Sequence, residues 1–428
     1  MTKNPRAAVA EALYNIEKEG EYSNRAMLDA ARGLDVRDTA LMTEIVMGVL
    51  RNKLYIDFII QSYSKIKLKK ISPWVLQILR CGVYQLVMMD KIPPSAACNE
   101  AVKLAAGKSN GAARGFVNGV LRTVSRNIEA LPVPTGGTEE IMSVKYSCPL
   151  WIVKKLCEQY GAEMAECILT DSLIPHPTTV RTNILKVSSA ELVKILEEEG
   201  VRAEQDTELP ECIRVFGAFD INRSAAYSEG LYTLQNINSM RAGLLLDPRE
   251  GETVLDLCAA PGGKTTHLAE LMKNKGKIAA FDLHPHKTAL IDNAARRLGI
   301  DIIEARAADC TEYMPELEGC ADRVLADVPC SGMGVIHKKP DIKYNRRAED
   351  IETLCSIQEK IMNNGAKYLK SGGVMVYSTC TIFKEENERQ TERFLNTHEN
   401  FVKEHERLYT AHETGGSGFY LCRFKKVR

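Results

Sequence analysis

At 428 residues and 45% hydrophobic content the chain has enough apolar material for two or three buried cores, and its 56 basic and 56 acidic residues cancel to a net charge of zero. The charge is nonetheless segregated, with 19 Lys and Arg against 12 Asp and Glu in residues 1–130 and 37 against 44 in the remainder, which suits a basic nucleic-acid-binding segment ahead of a more acidic body. With no run of 18 apolar residues, no apolar signal core and no Cys-x-x-Cys pair among 13 cysteines, the pattern argues against a membrane span, secretion, a disulfide framework and a structural zinc site, and a soluble cytoplasmic protein with reduced thiols is expected.

From Pro5 to about Arg126 apolar residues recur at helical spacing, as in Val9, Leu13 and Ile16 and again in Leu41, Ile45 and Val49. Ser72-Pro73 is an N-cap followed by proline at the first helical position, and opens a helix through Leu76, Leu79 and Val83. An all-helical domain over residues 1–130 is expected. Arg114, Arg122 and Arg126 lie eight and four residues apart on one helix, so they share a face suited to phosphates. Lys65, Lys67, Lys69 and Lys70 form a second basic cluster, although such runs usually mark a solvated face. The breakers in Leu131-Pro-Val-Pro-Thr-Gly-Gly-Thr138 predict a linker, set at residues 131–145.

Over residues 146–235 a helical run at Trp151 to Tyr160 gives way to strand candidates at Thr178 to Thr182 and Ile213 to Phe216. Ser188-Ser-Ala-Glu191 has the capping-box pattern and starts a helix that Gly200 stops, so a small α+β module resembling an RNA-recognition fold is expected. From residue 236 to 428 strands and helices alternate: Thr253 to Leu257, Thr265 to Met272, Lys277 to Asp282, Lys287 to Leu298, Arg323 to Asp327 and Val374 to Ser378. That order predicts a Rossmann-like α/β domain with a parallel sheet covered on both faces.

The segment from Val254 through Cys258, Ala259, Ala260, Pro261, Gly262, Gly263 and Lys264 is a buried strand, a glycine-bearing turn and a helix start, the arrangement that aims backbone amides at a ligand. A phosphate-cradling P-loop needs glycine at Cys258 and an amide where Pro261 stands, so that reading fails despite the Gly263-Lys264-Thr265 ending. A tight turn that only packs helix on sheet is the bland alternative. The preferred reading is a site for S-adenosylmethionine (SAM), leaving S-adenosylhomocysteine as product. Asp282, about 20 residues past the glycines at the end of the next strand, is placed for the ribose hydroxyls, and Asp309 for the border of the adenine.

Two cysteines stand in the first turn beyond apolar strands, in Asp327-Val-Pro-Cys330-Ser-Gly and in Ser378-Thr-Cys380-Thr. Most intracellular cysteines are inert core residues. These two sit beside turn formers and hydroxyls, where a thiol can be exposed and ionised. A thiolate is wanted because carbon 5 of cytosine becomes nucleophilic toward a methyl sulfonium only after addition at carbon 6, and Asp327 is placed to protonate or hydrogen-bond ring nitrogen 3 of that adduct. Loss of the carbon 5 proton afterwards calls for a second basic group. Local sequence alone does not rank the two thiols.

The motifs Asp-Leu-Cys-Ala-Ala-Pro-Gly-Gly-Lys-Thr, Asp-Val-Pro-Cys-Ser-Gly-x-Gly and Ser-Thr-Cys-Thr, in this order and spacing, resemble the NOL1/NOP2/Sun family of RNA 5-methylcytosine methyltransferases over nearly the whole chain. The resemblance implies that Cys380 is the nucleophile and Cys330 assists release of the methylated RNA. The first domain looks like a NusB-type RNA-binding domain, a fusion similar to bacterial members that methylate 16S rRNA. It implies 16S rRNA as partner, free or precursor rather than assembled into a subunit, with no obligate protein partner. A non-catalytic RNA-binding assembly factor is the rival reading, and the same reaction on another rRNA or tRNA cytidine a further one. Asn236 and Ser417 depart from the acidic residue and the aspartate usual in the family, and bear on substrate contact and packing around the site.

Overall fold

The computed structural model describes residues 4–427 apart from 109, 110, 175 and 218. The chain forms two compact units, Met1–Ile174 with Ile336–Arg346, and Pro175–Val335 with Arg347–Arg428. Among the described residues no helix is long and apolar enough to cross a membrane.

The first unit is helical, and its centre is the helix Pro73–Met88, entered through Ser72 as the sequence predicts. That helix is buried on every side, polar positions Gln77, Arg80 and Gln85 included, and the helices Pro5–Tyr14, Val36–Arg51, Lys53–Tyr63, Pro94–Lys108 and Gly111–Arg126 all pack on it. A helix without a polar face has no choice but the middle. Gly48 lets Val36–Arg51 approach, since a Cβ there would stand 1.9 Å from the Tyr84 ring. Arg80 is tolerated in the core because Asp57 takes two of its donors at 2.7 Å and Glu17 a third at 2.5 Å.

Three features of this unit differ from the sequence reading. The stretch expected as a linker is irregular only as far as Gly137, and Thr138–Lys145 is a helix whose first turn is closed by the Glu140 carboxylate on the Gly137 amide. The helices Leu150–Tyr160 and Ala162–Asp171, expected in the small α+β module, belong to this unit, where Ile152, Val153 and Leu156 find cover. Finally, residues 336–346, expected within a continuous catalytic domain, belong here too. Asp341 accepts from the Ser23 amide and hydroxyl, Lys343 Nζ donates to the Arg51 carbonyl at 3.0 Å, and Tyr344 donates to the Ser147 carbonyl at 2.9 Å.

The second unit contains two sheets. In the smaller, β1 (Thr178–Thr182), β2 (Arg202–Gln205), β3 (Cys212–Phe216) and β4 (Tyr232–Leu234) run antiparallel in the order β2-β3-β1-β4. One face packs through Val180, Ile213 and Val215 on Leu192 and Leu196 of the helix Ser189–Glu198, which has the predicted Ser188–Glu191 capping box. Alternation puts Arg181 on the other face. There it is fully buried, donating to both Glu270 oxygens at 2.9 and 2.7 Å, to Thr266 at 3.1 Å and to the Gly263 carbonyl at 2.6 Å. This face is therefore closed by the helix Gly263–Leu271 and offers no open platform of the kind an RNA-recognition fold would use for bases.

The larger sheet contains β5 (Thr253–Asp256), β6 (Lys277–Asp282), β7 (Ile303–Ala307), β8 (Ala321–Asp327), β9 (Leu369–Thr379), β10 (Phe401–Tyr409) and β11 (Phe419–Lys426), ordered β10-β11-β9-β8-β5-β6-β7. Strands β5 to β9 pair in parallel, and β11 pairs antiparallel with both β9 and β10. The chain winds from β5 outward to β7 and then returns to the other side of β5 for β8, so the crevice between the β5 and β8 ends is the topological switch where ligands are bound. Register aligns Asp256 with Leu325 and Asp327 with Ser378, bringing the first turns after β5, β8 and β9 to one rim.

Truncating Arg181 to Ala leaves Glu270 charged and buried without its partner. This should cost the second unit roughly 3–5 kcal/mol in urea denaturation, and Arg181→Met with Glu270→Leu should recover most of it; equal stability of the two variants would contradict the account.

Candidate active site

Backbone bonds shape the loop after β5. The Ala259 amide donates to the Phe281 carbonyl at 2.7 Å, the Gly262 amide to the Ala259 carbonyl at 2.8 Å, and Thr265 Oγ1 to Asp256 at 2.7 Å. Gly262 adopts φ +101°, and a Cβ there would stand 3.1 Å from Ile291 Cα, so the turn disfavours a side chain. Beyond the strand ends lies a cavity of about 520 Å³ whose lining includes Cys258, Ala260, Asp282, Asp309, Asp327 and Lys287. Five sequence-expected residues thus meet there.

The remaining members of the loop do not line the cavity. Ala259 is buried against Ala280 and Ile291, and Pro261, Gly262 and Gly263 supply turn and helix start. Lys264, expected with the cofactor loop, projects elsewhere: its Nζ lies 2.6 Å from Asp327 Oδ2 and 5.1 Å from the centre of the Phe419 ring. Asp282 accepts from the His284 amide at 3.2 Å with Lys287 Nζ at 3.7 Å. Asp309 accepts from the Thr311 amide and hydroxyl at 2.9 and 2.7 Å, and these bonds hold its carboxyl below the usual range.

Cys330 and Cys380 face each other with sulfurs 3.2 Å apart. The β8–β9 register explains this, since Cys330 follows Asp327 by three residues and Cys380 follows Ser378 by two, while Ser378 Oγ donates to Asp327 Oδ1 at 2.7 Å. The thiols are electrostatically unequal. A hydrogen bond received from Cys330, with the Lys264 ammonium nearby, lowers the Cys380 thiol below its ordinary value; donating that bond, with burial, holds Cys330 well above. Burial works against the charge on Lys264, but Asp327 outweighs it and keeps the lysine protonated. Burial pushes the Asp256 carboxyl up to about 7, with Asp327 adding to the rise, and its Oδ1 has no hydrogen-bond partner.

Sequence reasoning missed two residues here. Lys264 was assigned to the cofactor by its place in the glycine loop, and only its side-chain direction puts it beside the thiol. Glu386, in the charge run Lys384-Glu-Glu-Asn-Glu388, carries no motif signal yet is fully buried and accepts from the Ser331 amide next to Cys330. Asn236 and Ser417, the two departures, are bonded to each other at 3.1 Å, so one polar contact has taken the place of two separate anomalies. Arg114, Arg122 and Arg126 all lie exposed on the helix Gly111–Arg126 of the first unit.

Comparison with known proteins places this geometry. A profile described as 16S rRNA methyltransferase RsmB/F matches residues 243–419, one of the NusB family matches residues 3–126, and a ferredoxin-like domain of RsmF/B-like methyltransferases matches residues 148–222. A Bacillus subtilis protein named probable ribosomal RNA small subunit methyltransferase B is 36% identical over 98% of each chain. The chain belongs to the RsmB family. The ribosomal RNA small subunit methyltransferase B of Proteus mirabilis is 31% identical over 99% of each chain. The crystal structure of PH0851 matches all of both chains with a TM-score of 0.84 at 29% identity, and a methyltransferase homologue from Pyrococcus horikoshii matches 68% of this chain and all of its own with a TM-score of 0.60 at 27%. The chain thus combines a NusB-like helical domain, a ferredoxin-like module and a Rossmann-like methyltransferase domain.

Two measurements check the electrostatics. An acid raised in the folded state costs stability as pH climbs from its unfolded value, about 3.9, toward its folded one, so Asp256→Asn should gain on the parent by on the order of 4 kcal/mol between about pH 4 and pH 8; a pH-independent difference would show that Asp256 titrates normally. Under limiting iodoacetamide at neutral pH, peptide mapping should find Cys380 alkylated ahead of Cys330, with the preference reduced in Lys264→Met.

Proposed function

We propose that this RsmB-family enzyme transfers a methyl group from SAM to carbon 5 of a cytidine in 16S rRNA, through a temporary bond between Cys380 and carbon 6 of the base. The observation that carries the reading is the thiol pair 3.2 Å apart beside Asp327 and Lys264 at the rim of the sheet. The cavity suits SAM, because Asp282, Asp309 and Asp327 favour ribose hydroxyls and a cationic sulfonium and repel a polyphosphate. Asp282 is assigned to the ribose and Asp309 to the adenine border, with Cys258 and Ala260 of the loop against the ligand. Bound there, SAM supplies an electrophilic methyl group.

The residues of the chain then divide the work. Cys380 enters as the thiolate and adds to carbon 6, while Asp327, held by Lys264 and Ser378, passes a proton drawn from the Lys264 ammonium to nitrogen 3. The displaced electron pair reaches carbon 5, which becomes the nucleophile. Once Cys380 is a thioether it no longer accepts from Cys330, which removes the hydrogen bond that holds the Cys330 proton. Cys330 gives that proton to solvent and, as the thiolate, takes the carbon 5 proton; nitrogen 3 returns its proton through Asp327 to Lys264, the ring double bond re-forms, and Cys380 leaves as the thiolate.

A stacked cytosine is out of reach of this pair, so the base must be flipped out, which costs least in a loop or an unfolded precursor. The substrate is accordingly free or precursor 16S rRNA in the cytoplasm, with Arg114, Arg122 and Arg126 on its phosphates.

Incubation with methyl-labelled SAM and protein-free 16S rRNA should place label in 5-methylcytosine. Cys380→Ala should abolish both methylation and the covalent complex, whereas Cys330→Ala should accumulate enzyme bound to RNA on a denaturing gel. Label outside carbon 5, or an adduct formed by Cys380→Ala, would overturn the assignment.

A further inference from the structure

The segments bearing the two thiols come from different strands, and past Ser378 the Gly334 amide joins them by donating to the Cys380 carbonyl at 2.9 Å. A buried pair of residues holds the side chains and backbone on either side of the two cysteines. Glu386 Oε1 accepts from the Ser331 amide at 2.8 Å and from Gln358 Nε2 at 3.0 Å, and its Oε2 accepts from Ser331 Oγ at 2.5 Å. Gln358, on the helix Asp350–Tyr368, donates also to the Pro329 carbonyl at 3.0 Å. Pro329 and Ser331 are the residues on either side of Cys330. Asn387 does the same for the other thiol, with Nδ2 donating to the Thr381 carbonyl at 3.1 Å and Oδ1 accepting from Thr379 Oγ1 at 2.6 Å. The two brackets are joined where Ser331 Oγ meets Thr381 Oγ1 at 2.7 Å. Glu386, Asn387, Ser331, Thr379 and Thr381 are all buried, so water has no ready access to replace these bonds.

We propose that Glu386 is a positioning residue for the methyl-transfer site: by accepting from Ser331 on one side of Cys330 and from Gln358, which holds the Pro329 carbonyl on the other, with Ser331 meeting Thr381, it holds the two sulfurs at hydrogen-bond distance. It touches neither thiol in these bonds and lines no part of the cofactor cavity. A carboxylate suits the place because three donors converge on it and it has none of its own. Glutamine keeps the Oε1 acceptor for the Ser331 amide and Gln358, and the Ser331 hydroxyl, by rotating, accepts from the new amide while donating to Thr381. Alanine removes all three bonds and frees the Cys330 turn.

The proposal rests on the reading of the thiols as the reacting pair, but its test does not need the reaction. Formation of a disulfide requires the two β-carbons to approach to about 3.8 Å, so its rate reports on alignment. Full-length protein is treated with diamide, which takes up the two electrons and two protons released, and the Cys330–Cys380 linkage is followed by peptide mapping. Glu386→Ala should slow this crosslink at least tenfold with SAM binding unchanged, and Glu386→Gln should restore it. In turnover on 16S rRNA, Glu386→Ala should lower kcat by roughly 100-fold, the scale of an ångström of misplacement, at unaltered KM for SAM. A parental crosslinking rate in SAM-binding Glu386→Ala would overturn the proposal. If that variant fails to bind SAM, Thr381→Val, which removes only the bridge between the brackets, should still slow the linkage, and an unchanged rate there would overturn it equally. Rapid crosslinking in a parent that methylates no cytosine would instead defeat the functional reading and leave the positioning intact.

Discussion

The parallel ladder between β8 and β9 is the constraint on which the site depends. Pairing Asp327 with Ser378 fixes how far each chain has run when it leaves the sheet, and the two cysteines then emerge within one turn of each other. A slip of one residue would turn every side chain of β9 to the opposite face, burying Ser378 away from Asp327. The register is itself secured by burial on both faces, with Met375 and Tyr377 in one core and Val374 and Val376 in the other. Chemistry at the rim is therefore specified by apolar packing many ångströms inside the sheet.

Charge organises what the ladder brings together. Four ionisable groups, Asp256, Lys264, Asp327 and Cys380, share one space, and the shifts of Asp256, Lys264 and Cys380 follow from burial and from who has a partner. Lys264 is claimed by Asp327, which leaves Asp256 as the uncompensated acid and drives it toward the neutral form. The same ammonium favours the thiolate on Cys380. One cation is thus shared by the Asp327 carboxyl and an ionisable thiol, while burial holds the deeper acid, Asp256, toward its neutral form.

Much of this was legible in the sequence, for physical reasons. The strands Thr253–Asp256 and Lys277–Asp282 are short, apolar and bounded by turn residues, and the cysteines beyond β8 and β9 declare themselves by standing outside apolar runs. What sequence does not encode locally is direction and long-range partnership. Lys264 is one residue from Gly263 in the chain, yet its side chain leaves the helix on a face that only the finished sheet defines. Arg181 sits in the unremarkable strand Thr-Thr-Val-Arg-Thr, and its meaning depends on Glu270, 89 residues away. Glu386 is surrounded by charges in sequence and by hydroxyls and amides in space. The family resemblance ranked the two thiols where spacing left them equal, and the contact between the sulfurs is itself symmetric, so what distinguishes them in space is the Lys264 ammonium that favours the Cys380 thiolate.

The short piece at residues 336–346 makes the helical unit discontinuous along the chain, and this has a consequence for biosynthesis. The ribosome completes residues 1–174 and must then add another 161 before the segment carrying Asp341, Lys343 and Tyr344 begins, an interval of roughly 10–30 s at ordinary elongation rates. During that time Ser23 and the carbonyls of Arg51 and Ser147 lack these partners, while β1 to β8 are already being made. The part synthesised first is among the last to be finished. Its final closure waits for the polypeptide to return, so the nascent chain passes through a long stage in which its leading helices are assembled but not yet sealed.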